Sequence, residues 1–251
     1  MNLRYITCSD PREFNDIHDI VNLAKTSPRA EIAVQAHPSK MLRGMPRNEW
    51  FRELVQYVIC DKHDINLAVH VNREWCDEIC RTGKMPGELR EFFDLYQSGR
   101  KPVIKRWQLN IPADTAKKTD FFALACLIGN NADRDFILQY NANTKHIANQ
   151  LFYHTPVMFS LLYDASGGRG ISPNGWQDAL FPKIPQGYSG GLSPENVKAN
   201  LSKISAALEY PRDDIWIDAE GKLKTDDKFD INRARQYILN AEKWLVQQNQ
   251  Y

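Results

Sequence analysis

Eight short apolar runs recur along this chain, separated by longer stretches with apolar residues at helical spacing, and this alternation is what most limits its fold. The runs are residues 4–8, 31–36, 65–72, 103–110, 135–140, 157–163, 186–189 and 215–218. Several are rich in the β-branched and aromatic residues that suit strands. Between the first runs, Ile17, Ile20, Val21 and Ala24 share a helical face, and so do Trp50, Phe51, Leu54 and Val58. Residues 119–128 read as a buried helix. Ser193 followed by Pro194 reads as an N-cap with proline at the first helical position, leading into 197–208. Asp230 is placed to cap a last helix over 231–245. The stretch 73–99 is interrupted at 83–87 and reads as two helices. Alternating strands and helices imply a parallel sheet. Eight such units can close into an α/β barrel of the (β/α)8, or TIM, kind. An open doubly wound sheet is the alternative, but its glycine-rich turn is missing after the first run, which continues Cys8-Ser9-Asp10-Pro11.

The chain has 251 residues, the length one such barrel needs. No linker rich in Gly, Pro or Ser divides it, so a single domain over 1–251 is expected. A net charge of +1 lacks the basic excess of a nucleic-acid binder. No stretch approaches the roughly 20 apolar residues of a membrane span, and the N-terminus has no long apolar run of a signal peptide. Five cysteines, an odd number without regular spacing, fit a reducing compartment, and a cytoplasmic protein is expected. Cys76 and Cys80 stand four apart with no second ligand pair nearby, so they read as a helix face, and no metal is expected.

Barrels of this class gather their chemistry at the C-terminal strand ends and in the loops that follow. Here those ends are polar: Cys8, Gln35 and His37, His70 and Asn72, Gln108 and Asn110, Gln139 and Asn141, Asp164, and Asp218. Side chains alternate along a strand, so about half of these can face inward. Two late loops are rich in glycine: Ser166-Gly167-Gly168-Arg169-Gly170 and Ser189-Gly190-Gly191-Leu192-Ser193. Glycines let backbone N–H groups approach an anion closely, and a following helix N-terminus adds donors. A phosphorylated small molecule held at Gly168, Arg169, Gly170, Gly190 and Gly191 is therefore the expected partner. A plain turn is the other reading of each glycine pair.

In scattered blocks over nearly its whole length, the chain resembles the phosphoribosylanthranilate isomerase family. Tyr5-Ile6-Thr7-Cys8 is similar to that family's Lys-Ile-Cys-Gly, and Trp107-Gln108-Leu109-Asn110 to its Val-Gln-Leu-His. Leu161-Leu162-Tyr163-Asp164 resembles Leu-Leu-Asp, and Gly167-Gly168-Arg169-Gly170 with Trp176 resembles Gly-Gly-Thr-Gly with its tryptophan. The most specific block, Ser189-Gly190-Gly191-Leu192-Ser193-Pro194-Glu195-Asn196-Val197, is close to Ala-Gly-Gly-Leu-Thr-Pro-Glu-Asn-Val. Ile217-Asp218-Ala219-Glu220-Gly221 resembles the closing Val-Asp-Val-Ser-Ser-Gly. The resemblance implies a (β/α)8 enzyme of tryptophan biosynthesis that converts N-(5-phosphoribosyl)anthranilate to an aminodeoxyribulose phosphate by an Amadori rearrangement, without a cofactor. By position it makes Asp164 the acid that opens the sugar ring and Cys8 the base that takes the carbon-bound proton. It adds Gly221 to the phosphate site, Gln108 to the substrate contacts, and Lys40 or Arg43 as partner of the anthranilate carboxylate.

The chain departs from the family pattern in several places: the lysine before Ile-Cys has no match, and Cys8 sits one residue later than the simplest spacing. Tyr163 stands between Leu162 and the aspartate, Glu220 takes the place of a serine, and the loop at 37–43 offers Lys40 and Arg43 where the family has its arginine. A differently specific or non-catalytic phosphosugar-binding barrel is the alternative, since a fold does not fix a function. Cys8 has a second reading as a small core residue, and His70 as hydrogen-bonded structure. A monomer or homodimer is expected.

Overall fold

Every apolar run forms a strand in the computed structural model, which describes residues 1–97, 101–164, 170–181, 183–210, 212 and 214–248. The strands are β1 (Leu3–Ser9), β2 (Ala30–Ala36), β3 (Asn66–Val71), β4 (Arg106–Leu109), β5 (Asp135–Tyr140), β6 (Ser160–Tyr163), β7 (Gln186–Ser189) and β8 (Ile215–Ala219). Each pairs in parallel with its neighbours in sequence, and β8 pairs with β1, so the sheet closes into an eight-stranded barrel. The fold is the α/β (β/α)8 barrel, not an open sheet.

Helices fill most of the connections. Ile17–Ala24 begins at Asp16, whose side chain accepts from the Asp19 amide. Phe121–Asn130 begins at Asp120, which accepts from the amides of Phe122 and Ala123. Asp230 caps Ile231–Gln248 in the same way, accepting from Asn232 and Arg233. The stretch after β3 forms two helices, Arg73–Thr82 and Gly87–Phe93, with Gly83 left-handed at the break. A two-residue ribbon, Tyr96–Gln97 with Lys101–Pro102, then leads to β4.

Two features differ from the sequence expectation, and one connection that the alternation alone made helical is now located. Helix Lys145–His154 joins β5 to β6 although its buried positions are only Ile147, Ala148 and Leu151, too few to stand out as a period. The helix after β7 starts at Val197, with Asn196 as its cap, because residues 193–196 close a separate turn first. No helix occurs between β6 and β7 among the described residues. Nor, among them, is any helix long and apolar enough to cross a membrane.

Alternation sorts the strand residues into two cores. Ile6, Cys8, Ile32, Val34, Val69, Trp107, Phe136, Leu161, Tyr163 and Ile217 face the helices. Tyr5, Ile137, Leu162 and Trp216 pack inside the barrel. Also inside lies Arg106, whose guanidinium donates to Glu31 at 2.7 Å and Asp135 at 3.0 Å. Tyr5 and Trp216 pack against it, each ring centroid 4.3 Å away. Gly187 makes room for Trp216: a Cβ there would fall 2.1 Å from the indole. Gly187→Ala should therefore destabilise the barrel by about 1–3 kcal/mol, the usual cost of overpacking a filled core. The urea midpoint of unfolding, followed by circular dichroism, measures this, and an unchanged midpoint would contradict the described packing.

Candidate functional site

Above that filled layer, the inward positions at the C-terminal strand ends surround a cavity of about 340 Å³. Gln35, His70, Gln108, Gln139, Ser189 and Asp218 reach it from β2, β3, β4, β5, β7 and β8. Asp164 follows β6 and lies two residues beyond Leu162, so it shares the inward face. Tyr163 between them turns outward and meets Tyr188 edge-on at 6.1 Å. The extra residue in the Leu-Leu-Tyr-Asp block thus brings the aspartate into the cavity rather than away from it, as the period of two requires.

Three carboxylates line this cavity, Asp164, Asp218 and Glu220, and the first two have different surroundings. Asp164, 4% exposed, accepts from Gln139 Nε2 at 2.8 Å. Asp218 accepts from Ser9 Oγ at 2.6 Å. Burial pushes Asp218 up to about 7, Glu220 and Glu31 add to the rise, and the Ser9 bond and Arg106 hold it down. A carboxyl in that range can give or take a proton near neutrality.

The wall from β2 to β4 is built from amides around one imidazole. Gln35 Nε2 and Gln108 Nε2 each stand 3.4 Å from His70 Nδ1. Burial pushes His70 down to about 3, with Arg106 beneath it contributing, so the ring is neutral at neutral pH. Asn72 donates to Gln35, Asn110 to Asn72, and Gln108 to Asn110. Each amide is oriented by the next, and this wall presents fixed neutral donors and acceptors.

The glycine loops form another part of the wall. Gly170, Gly190 and Gly191 have φ of +65°, +128° and +63°, conformations most side chains resist. A Cβ on Gly191 would also approach Ser172 Oγ to 2.7 Å. Asn196 fixes this turn: its Nδ2 donates to the Gly191 carbonyl and its Oδ1 accepts from the Ser193 amide, both at 2.8 Å. Gly221 and Lys222 line the cavity from the loop after β8. Glu220, beside them, receives Gln35 Nε2 at 2.9 Å and Lys224 Nζ at 3.2 Å.

Of the residues singled out in the sequence, Asp164, Gln108, Gly170, Gly190, Gly191 and Gly221 line this cavity. Gly168 and Arg169 lie outside the described residues. Cys8 is not brought in. Thr7 and Ser9 make the inward contacts of β1, to Glu31 and Asp218, so the residue between them faces the helices. There Cys8 is fully buried, and burial pushes its thiol well above the ordinary range, with Asp218 and Glu31 adding to the effect. Cys8 therefore lies outside the cavity, which corrects the placement suggested by the motif. Lys40 and Arg43 are likewise corrected: both are exposed and stand outside the cavity lining, because helix Pro38–Met41 buries Met41 instead. Trp176 packs edge-on against Tyr188 behind β7 and donates to Asn200. The sequence reading did not single out Ser9 or Lys222. Parity along β1 points to Ser9, and no sequence signal points to Lys222. No cluster of three potential metal ligands occurs among the described residues.

Comparison with known proteins yields no matching family model. The multifunctional tryptophan biosynthesis protein of Schizosaccharomyces pombe is 27% identical over 113 residues, which are 45% of this chain and 14% of that protein. The chain thus corresponds to a small part of that relative's length. A thiamine phosphate pyrophosphorylase from Pyrococcus furiosus superposes with a TM-score of 0.46 at 11% identity, over 97% of each chain. N-(5'-phosphoribosyl)anthranilate isomerase from Pyrococcus furiosus superposes with a TM-score of 0.51 at 12% identity, over 95% of this chain and 98% of that one. In fold the chain is therefore similar to N-(5'-phosphoribosyl)anthranilate isomerase, and over part of its length it is similar in sequence to a tryptophan biosynthesis protein.

Proposed function

We propose that this protein isomerises a phosphoribosyl-amine adduct by a cofactor-free Amadori rearrangement, of the kind that serves tryptophan biosynthesis. The observation that carries this reading is one cavity that holds both Asp164 and Asp218 and is walled by the Gly170, Gly190–Gly191 and Gly221–Lys222 loops. The phosphate would lie against those loops, where backbone N–H groups and the Lys222 ammonium complement its charge. The sugar ring would lie over the amides of Gln35, Gln108 and Asn110. Asp164, oriented by Gln139, would protonate the furanose oxygen and open the ring. The product carries the same atoms as the substrate, so no redox partner enters.

One observation favours a second reading, a phosphosugar-binding barrel of different specificity. The cysteine that the motif resemblance makes the base lies in the outer core.

Two variants test the proposal. Gly191→Asp, a residue type that tolerates the left-handed region, should weaken inorganic phosphate binding at least about tenfold by calorimetry, or about 1.4 kcal/mol. Its circular dichroism spectrum should stay that of the wild type, and unaltered phosphate affinity would remove the anion site from these loops. Asp164→Asn should lower kcat on N-(5-phosphoribosyl)anthranilate roughly 10²–10⁴-fold, the usual worth of a positioned acid. A near-normal rate in that variant would take the acid role from Asp164. Wild-type protein that binds phosphate yet leaves this substrate unchanged would favour the second reading.

A further inference from the structure

The burial of Cys8 among core residues leaves the second proton transfer without the group that motif resemblance assigns to it. We infer that Asp218 is the base that removes the carbon-bound proton, with Ser9 as the residue that positions it. This rests on the isomerase reading above, since the step exists only if the cavity opens a sugar-amine adduct.

The geometry meets what the step requires. Asp218 lies on the inward face of β8, two residues beyond Trp216, and lines the same cavity as Asp164. Ser9 holds its Oδ1 from the neighbouring strand at 2.6 Å. Fixing one carboxylate oxygen fixes the direction of the other, which a base that must meet a particular C–H bond requires. Ser9 and Asp218 come from adjacent strands that pair in register, Thr7 opposite Asp218, so the contact is set by the barrel itself rather than by a loop.

The step balances. Once Asp164 has protonated the ring oxygen, the open chain carries an iminium at C1. Asp218 takes the proton from C2. The C–H electron pair becomes the C1–C2 double bond, and the iminium π pair returns to nitrogen. The resulting enaminol gains a proton at C1 from Asp218 and loses its hydroxyl proton to Asp164. Both carboxyls return to their starting states, and nothing is oxidised or reduced overall.

A carboxylate base must be ionised, and the groups around Asp218 set where that happens. Ser9 and Arg106 favour the charged form, whereas burial, Glu220 and Glu31 oppose it. Cys8 and Tyr237, in the outer core, are near enough for the charge of Asp218 to raise both. The rate should therefore fall as pH drops through about 7.

The test is kcat and KM on N-(5-phosphoribosyl)anthranilate from about pH 5 to about pH 9 for wild type, Asp218→Asn, Ser9→Ala, Ser9→Thr and Cys8→Ala. Asp218→Asn should lose roughly 10²–10⁴-fold in kcat with little change in KM. Ser9→Ala removes a bond to the charged form, so its acid limb should move to higher pH, and Ser9→Thr should restore it. Cys8→Ala should stay within about threefold of wild type, since a buried thiol outside the cavity touches no reacting atom. Circular dichroism and inorganic phosphate binding show that each variant folds; if Asp218→Asn does not, the Ser9 pair decides. An active wild type that tolerates Asp218→Asn within about tenfold overturns this assignment alone, as does a Cys8→Ala loss equal to that of Asp218→Asn. An acid limb that stays put in Ser9→Ala also overturns it. A wild type inactive on this substrate overturns the isomerase reading and this assignment together.

Discussion

The barrel depends on how one guanidinium is housed. Arg106 is 2% exposed, and a charge so far from water is tolerated only beside groups of opposite charge. Glu31 and Asp135 supply charge, and the Tyr5 and Trp216 rings pack against the planar group. Thr7 and Ser160 complete the ring by donating to the two carboxylates. β1, β2, β4, β5, β6 and β8 all contribute to this plug. It fills the lower half of the barrel and turns what would be a pore into a floor. The cavity exists because the filling stops there.

The plug also sets electrostatic conditions above it. Arg106 helps keep His70 uncharged and partly offsets the burial that raises Asp218. One wall is thus a neutral scaffold of amides, and Asp164 and Asp218 are held by different donors, the Gln139 amide and the Ser9 hydroxyl.

The strands were legible in the sequence because each is a short apolar run between polar turns, and β5 and β7 match their expected bounds. The glycine loop after β7 was legible too, since Gly190 and Gly191 adopt positive φ as such pairs often do. Cys8 shows where residue-by-residue resemblance fails. A motif aligns residue types, but the face of a strand is decided by parity, and one position carries a side chain from the cavity to the helices. At Asp164 the same rule works in reverse, because the inserted Tyr163 restores the inward face. Lys40 and Arg43 stand in for a family arginine only by position, in a loop whose direction no local pattern fixes. The bounds of helix Lys145–His154 were not legible because its apolar face is narrow.

The seam between β1 and β8 joins the two ends of the chain, and its side-chain stitch is the Ser9–Asp218 bond. Lys224 adds another above it by holding Asp10 after β1 and Glu220 after β8. Ring closure and the proton on Asp218 are therefore thermodynamically linked. Opening the seam returns Asp218 to water, where it ionises as an ordinary carboxyl. The protonated form consequently tightens the closure. That contribution is complete at low pH and fades as pH rises through about 7. The closure of the barrel is thus tightest when Asp218, which faces the cavity, carries its proton.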